Sequence, residues 1–218
     1  MSRSYGGQTA EGRAADRRAR LIDVGVEIVG TQGVSALGMR SVCRAAGLSQ
    51  RFFYESFADT DALLHSVYSA ALSRLEEAVA PAVASGDLHA VFEAAALLME
   101  ADPRICRILL VEPVADARLR RHVRETIPAI ALAAVGDRII GSPDDPSVRM
   151  HFSALFGAMI SLFVEWTEGN LGTDRHAFAS HATAVATQLM SDIGSAGTRL
   201  SRTPTAQPGP EREHAPPA

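Results

Sequence analysis

Apolar residues recur at helical spacing along almost the whole chain, and this periodicity limits the possible folds more than any other feature. No convincing alternation of apolar and polar residues, bounded by hairpin turns, interrupts it. The first long segment carries one apolar stripe, formed by Leu21, Ile22, Gly25, Ile28 and Val29. This stripe predicts a first helix that Gly33 ends. An all-α fold is therefore expected.

Two short helices joined by a tight turn are predicted directly after the first. The second helix is indicated by a repeat of the helical spacing at Met39, Val42, Cys43 and Ala46. Gly47 breaks that pattern, and Ser49 is a favourable N-cap for a third helix over residues 50–55. The expected anchors of the third helix are Leu48, Phe53 and Phe57. This arrangement is typical of a helix-turn-helix, whose last helix enters the major groove of DNA, although spacing alone leaves ordinary helical core open.

About six more helices follow, so the prediction is about nine in all. Their expected starts are Asp59, Gly86-Asp87, Asp102-Pro103, Asp116, Asp145 and Asp174. Pro128 lies within the helix expected from Asp116 to about Gly141 and predicts a kink or a break there. The residues after Gly197 hold five of the eleven prolines and almost nothing apolar, which predicts a disordered tail.

Charge and cysteine content narrow the class of protein. All 21 basic residues are Arg; up to Thr60 there are eight of them against six acidic residues, a balance of +2, and the rest of the chain carries −6. A mildly basic head on an acidic body fits a DNA-binding module carried by a larger domain. Cys43 and Cys106 form no CxxC pair, which favours a reducing cytoplasm and no thiolate metal site. We read no signal peptide and no apolar run of transmembrane length.

The stretch from Arg18 to Leu64 resembles the N-terminal domain of the TetR family of transcriptional regulators. The matching features are the first helix ending at Gly33, the AAGLS turn at 45–49 and the aromatic FFYESF at 52–57. Apart from the proline-rich tail (198–218), the resemblance implies a flexible arm (1–15), a helix-turn-helix domain (16–59) and an α-helical effector-binding and dimerisation domain (60–197). It also implies a homodimeric repressor that leaves operator DNA when it binds a small hydrophobic or amphipathic ligand. An activator or a ligand-independent regulator stays an alternative.

The resemblance also implies which residues contact DNA. The candidates are Arg40, Ser49, Gln50, Arg51, Phe52, Tyr54 and Thr60. Arg51 is the expected base reader, because its guanidinium matches the O6 and N7 acceptors of guanine, while Tyr54 and Arg40 are expected on phosphate. The family usually has Gly-Thr in place of Arg51-Phe52 and Lys in place of Thr60, so the operator sequence does not transfer. Arg13, Arg17 and Arg18 are interpreted as a basic arm that reaches an adjacent groove or adds nonspecific charge.

The penultimate helix is apolar on two nearly opposite sides, so both sides must be covered. The first side consists of Phe152, Phe156, Met159, Phe163 and Trp166. The second side is made of smaller residues and is expected to meet a second subunit, as the resemblance implies, unless it is buried within one chain. The predicted dimer residues are Ala154, Gly157, Ser161, Phe178, Ala182, Val185, Ala186 and Leu189.

The resemblance implies an effector pocket inside the body, and the large apolar side chains of the body together with the breaks between its helices support that expectation. Its candidate residues are Phe92, Met99, Arg107, His122, Phe156, Met159 and Phe163, with plain helical core as the alternative for each. Motifs of hydrolases, nucleotide-binding enzymes and zinc proteases are not found, and no His, Asp and Glu cluster stands at metal spacing. His176 and His181 are five residues apart and do not share a helix face. We therefore expect neither an enzyme, a cofactor nor a metal.

Overall fold

The computed structural model describes residues 9–123 and 146–200. It is all-α there, as predicted, with a 3₁₀ turn (Val34–Ala36) and nine longer helical segments if the continuous run 103–115 is counted once. These are α1 (Ala10–Gln32), α2 (Met39–Ala46), α3 (Gln50–Ser56), α4 (Thr60–Ser85), α5 (Leu88–Ala101), α6 (Pro103–Cys106) with a π segment (Arg107–Val111) and α7 (Glu112–Ala115), α8 (117–123), α9 (Pro146–Thr167) and α10 (Arg175–Leu200). The predicted kink at Pro128 and the helix end near Gly141 lie outside the described residues. So does the predicted tail (198–218), except for residues 198–200, which belong to α10 and not to a disordered segment.

The head, formed by α1 to α3, follows the sequence prediction closely. The α1 stripe is buried except for the half-buried Ile22, and Gly33 ends the helix with a φ of 88°. The expected flexible arm is wrong for residues 10–15, because α1 begins at Ala10. The hydroxyl of Thr9 accepts a hydrogen bond from the Gly12 N–H at 3.1 Å and caps that first turn.

The turn between α2 and α3 consists of three residues, Gly47 to Ser49. Gly47 adopts a left-handed conformation with φ 62° and ψ 34°, which is accessible to Gly at little cost. The Leu48 N–H donates to the Cys43 carbonyl at 3.0 Å and closes the end of α2. Phe53 and Phe57 are buried beneath α3, and they hold this helix on the head so that its opposite side stays exposed.

The long helix α4 joins the head to the body. The Asp59 carboxylate accepts from the Ala62 N–H at 2.8 Å, which confirms Asp59 as its N-cap. Leu63, Leu64 and Val67 are fully buried near its start and pack into the head core. One continuous helix therefore spans both parts.

The run 103–115 changes from α to π geometry at Arg107 and back at Glu112. Pro113 explains the change, because it has no N–H to donate to the Leu109 carbonyl and its ring opposes regular α packing there. The predicted starts at Asp102-Pro103 and Asp116 are both confirmed, since each aspartate accepts a backbone N–H from the helix that follows it. This run lies against the end of α1.

The body core is built from α5, α9 and α10 around an aromatic cluster. The ring of Phe163 lies 4.9 Å from that of Phe178, Trp166 stacks on Phe178 at 4.7 Å, and Phe92 lies 6.4 Å from Phe163. Residues Val148–Thr167 of α9 reach the length and mean hydropathy (1.3) of a membrane span, which the sequence reading missed, and only 11% of the segment is buried. Much of this apolar helix is thus left uncovered by the residues that the structure describes.

Candidate nucleic-acid interface

The exposed side of α3 carries most of the residues predicted to contact DNA. Ser49, Gln50, Arg51 and Tyr54 are exposed, with 84% of the Arg51 side chain and 60% of Tyr54 accessible. Phe53, next to Tyr54 along the chain, is fully buried and lies edge-on to it at 5.6 Å. The helix therefore exposes polar side chains on one side while buried aromatic side chains anchor the other. This arrangement is typical of a helix that enters a DNA groove.

Arg51 is paired with Glu55 on the same helix. The Arg51 Nε donates to Glu55 Oε1 at 2.9 Å, and Arg17 lies 3.7 Å from the other Glu55 oxygen. An exposed pair one turn apart contributes only about 0.3 to 0.5 kcal/mol, so a guanine edge competes easily for the guanidinium. Glu55 thus directs the Arg51 side chain along α3. The sequence analysis did not predict this ion pair.

Two arginines interpreted as a DNA-reaching arm instead hold α3 against α1. The Arg17 guanidinium lies over the Phe52 ring at 4.5 Å, and that of Arg18 lies over Phe57 at 4.2 Å. Arg18 also donates to the Ser56 carbonyl at 2.8 Å. Phe52 is half-buried under Arg17, which limits its access to DNA. Arg13 belongs to α1 as well.

Arg40 and Thr60 flank the reading helix. Arg40 is exposed in the first turn of α2, and Thr60 is half-buried as the first residue of α4. The Ala62 amide at that helix end already binds Asp59, while the Asp61 carboxylate accepts from Arg118 Nη1 at 2.6 Å. The negative charge near Thr60 is thus partly neutralised by an arginine from the body.

The head and the body meet at a buried carboxylate, Glu112. Its Oε2 accepts from the Val34 N–H at 2.9 Å, and its Oε1 accepts from Arg107 Nε at 2.9 Å. Arg107 Nη1 also donates to the Thr31 carbonyl at the end of α1, at 3.0 Å. A Cβ added to Gly33 would lie 3.0 Å from Glu112 Oε1, so Gly33 makes room for this contact. Arg107 was predicted to line an effector pocket; it joins the two parts instead.

A second junction lies one turn earlier on α1. Arg104 donates to Glu27 at 2.5 Å and to Asp102 at 2.7 Å, and its stem packs against Gly30. The hydrogen bond from Arg104 lowers the pKa of Asp102, with a further contribution from the nearby charge of Arg74. The start of the π-containing run is therefore tied to α1 by charge as well as by packing.

The remaining effector candidates fall into two groups. Phe92, Met99, Phe156, Met159 and Phe163 all belong to or pack against the core. His122 lies apart from them, stacked on His65 at 4.8 Å and edge-on to Tyr68 at 5.3 Å. A shallow concavity of about 460 Å³ also lies between α1 and α4, and it includes His65 and Arg18 among its lining residues.

Some of the residues predicted to form the dimer interface are exposed, and others are buried within the chain. Ala154, Gly157 and Ser161 are exposed on α9, and nothing among the described residues lies within 4 Å of a Cβ built at Gly157. Val185 and Leu189 are half-buried on α10. Phe178, Ala182 and Ala186 are buried within the chain itself, because this side of α10 covers the aromatic cluster. These last three are thus unavailable to a partner unless α10 moves.

Comparison with protein families gives a match for the head. Residues 21–67 match the family described as bacterial regulatory proteins, tetR family. The matched range covers the second half of α1, all of α2 and α3, and the first turns of α4. No curated protein sequence matches the chain.

Comparison with solved structures covers head and body together. A transcriptional regulator FadR from Bacillus subtilis, in complex with stearoyl-CoA, superposes with a TM-score of 0.62 at 18% identity, covering 80% of this chain and 98% of that one. A TetR-like transcriptional regulator from Rhodococcus sp. RHA1 gives 0.61 at 17% identity, with coverages of 81% and 97%. A multidrug binding protein EbrR, complexed with imidazole, gives 0.57 at 22% identity, with coverages of 87% and 96%. At these identities the likeness is one of fold.

Proposed function

Because this chain belongs to the tetR family of bacterial regulatory proteins, we propose that it is a dimeric repressor released from its operator by a small hydrophobic or amphipathic ligand. DNA binding is supported above all by α3, whose polar side is exposed while its aromatic anchors are buried. Acting on the chromosome implies a cytoplasmic protein. The family consists of DNA-binding regulators and not of enzymes, so we propose no catalytic activity.

Arg51 is proposed to read a base and Tyr54 to hold the DNA backbone. Replacing Arg51 with Ala is expected to remove about 1 to 3 kcal/mol of discrimination at one operator position. Tyr54→Phe is expected to weaken binding to all sequences about equally, because a phosphate contact carries no sequence information. Binding to a library of single-base operator variants, measured at fixed salt, separates the two effects.

The matched control for Arg51 is Glu55→Gln, which removes the charge of its partner but leaves the reading side chain. Its base preferences should stay those of the wild type, with affinity unchanged or slightly higher because one negative charge near phosphate is lost. An Arg51→Ala protein whose base preferences match those of the wild type contradicts the assignment.

Ligand release is supported by the body, whose helices carry large apolar side chains and are joined at short breaks. Similar folds include a FadR solved with stearoyl-CoA and a multidrug binding protein solved with imidazole. A ligand releases DNA if it prefers the body conformation in which the two heads no longer match the operator. By linkage, that ligand must bind less tightly when the operator is present.

The test is a thermal-shift screen that begins with long-chain acyl thioesters and apolar drugs, followed by operator titration with each hit. A hit that raises the melting temperature and weakens operator binding supports release. Hits that leave operator affinity unchanged contradict release by those ligands, and a broad screen without hits favours a ligand-independent regulator. A ligand that strengthens operator binding would instead favour an activator or a co-repressed regulator.

A further inference from the structure

Three metal-binding side chains from two helices converge in the body. His89 and Glu93 lie one turn apart on α5, and His176 lies in the first turn of α10. One ligand atom from each lies within 4.8 Å of the others. The two imidazole rings are 5.1 Å apart, centroid to centroid. Sequence spacing concealed this cluster, because its third member is distant along the chain.

Only one of the two Glu93 carboxylate oxygens accepts a hydrogen bond from the described residues. Its Oε1 accepts from Arg175 Nε at 3.1 Å. Its Oε2 is shielded from solvent and accepts no hydrogen bond from any described residue, with His176 Nδ1 as a near neighbour at 3.6 Å. A shielded carboxylate oxygen without a partner is unfavourable, and a cation between Glu93 and the two histidines would satisfy it.

Two imidazoles and one carboxylate are a ligand set that suits zinc and related divalent transition metals. Ligand atoms in a tetrahedral zinc site lie about 3.4 Å apart, given metal–ligand distances near 2.1 Å, so separations of up to 4.8 Å must shorten by as much as about 1.4 Å. His176 is free to make that adjustment, because 77% of its side chain is exposed. Water can reach the fourth position from the same side.

The surroundings of His89 are also compatible with metal binding. Its Nε2 lies 3.3 Å from the Ser180 hydroxyl on α10. With Nδ1 as the ligand atom, the Nε2–H has an oxygen to donate to, which is the outer contact that orients most metal-bound imidazoles. Binding would thus connect α5 and α10 through all three ligands and through Ser180.

We propose that His89, Glu93 and His176 form a binding site for a divalent transition metal ion of the zinc kind, which fixes the start of α10 to α5. The competing explanation is an ion-pair cluster centred on Arg175, which also donates to Glu100 at 2.7 Å. The two explanations differ in the role of the histidines. The ion pairs of Arg175 need neither of them, whereas a metal site needs both.

The test uses the full chain without a histidine tag, freed of metal with a chelator and titrated with Zn²⁺ by calorimetry. One saturating ion per chain is expected, with a rise in melting temperature. His89→Gln and His176→Gln should each weaken binding at least about tenfold, since loss of an outer contact alone costs about 10- to 100-fold. Co²⁺ in place of Zn²⁺ should give the visible absorption of a tetrahedral site, and this band should be lost in both variants.

The matched control is His181→Gln, an exposed histidine on α10 outside the cluster, which should bind Zn²⁺ as the wild type does. His176→Gln changes an exposed side chain and is expected to fold normally, which circular dichroism checks. No saturable binding by the wild type, or equal binding by the double variant His89→Gln/His176→Gln, would overturn the proposal. Because neither readout contains DNA, its outcome is independent of the repressor proposal.

Discussion

Glu112→Ala is expected to lower the free energy of unfolding by about 2 to 4 kcal/mol and to loosen the head from the body. Glu112 is 9% exposed and accepts from both the Val34 N–H and Arg107. A hydrogen bond to a charged group contributes about 1.5 to 3 kcal/mol, and the truncation also leaves the Val34 amide and the Arg107 guanidinium without their acceptor. Chemical denaturation measures the loss.

Hydrogen exchange at the Val34 amide gives the local readout for the same variant. Its exchange should accelerate more than that of amides in the α9–α10 core, because the junction opens before the body does. Glu112→Gln should lie between the wild type and Glu112→Ala, since its amide oxygen still accepts one N–H but carries no charge.

Glu100→Ala is the matched control, because Glu100 also pairs with an arginine but is exposed and lies within the body. A surface pair contributes about 0 to 1 kcal/mol, so this variant should stay close to the wild type. Equal losses for Glu100→Ala and Glu112→Ala would contradict the junction role of Glu112.

The head could be predicted almost to the residue because its signals are local. Gly33 and Gly47 end helices through conformations that Gly adopts readily, and Asp59 caps the next helix three residues from its donor. The apolar stripe of α1 needs only the 3.6-residue period. Each of these rules operates within one turn of helix, so a single sequence contains all the information that they require.

What could not be predicted depends on partners that are distant along the chain. Arg17 and Arg18 resemble a solvated basic arm until Phe52 and Phe57 are placed beneath them. Glu112 receives its hydrogen bond from Val34, 78 residues away. The sequence shows that Glu93 stands one turn after His89, but α10 must pack on α5 before His176 joins them. Charge and residue type alone do not specify such pairings.

The packing of the two sides of α9 could be predicted only in part. Periodicity indicated two apolar sides, and the larger residues do pack against the core, with Phe163 buried and Trp166 half-buried. Periodicity does not indicate which side of α10 meets them. The inward side of α10 carries Phe178 and Ala182, two residues that were assigned to the dimer. The exposed side of α9 is therefore the better candidate for a partner.

Gly157→Arg is expected to convert the proposed dimer into a monomer and to lower operator affinity by about 10² to 10⁴, because a monomer holds one half-site where a dimer holds two. Among the described residues the substitution meets no obstacle, since none of them lies within 4 Å of that Cβ. In a dimer paired through α9, the same guanidinium would be forced against the partner. Ala186→Arg is a poor probe, because Ala186 is buried in its own chain and a charge there would disturb folding.

Light scattering and analytical ultracentrifugation report the mass, and operator titration reports the affinity. Ala84→Arg, an exposed alanine near the end of α4, is the control for an added surface arginine and should stay dimeric. It also corrects for any gain in nonspecific DNA affinity, which a new positive charge produces at low salt. A folded Gly157→Arg protein that keeps both the mass and the operator affinity of the Ala84→Arg control places the pairing surface away from this side of α9. If mass and affinity fall together, a second copy of the chain covers the side of α9 that the described residues leave exposed.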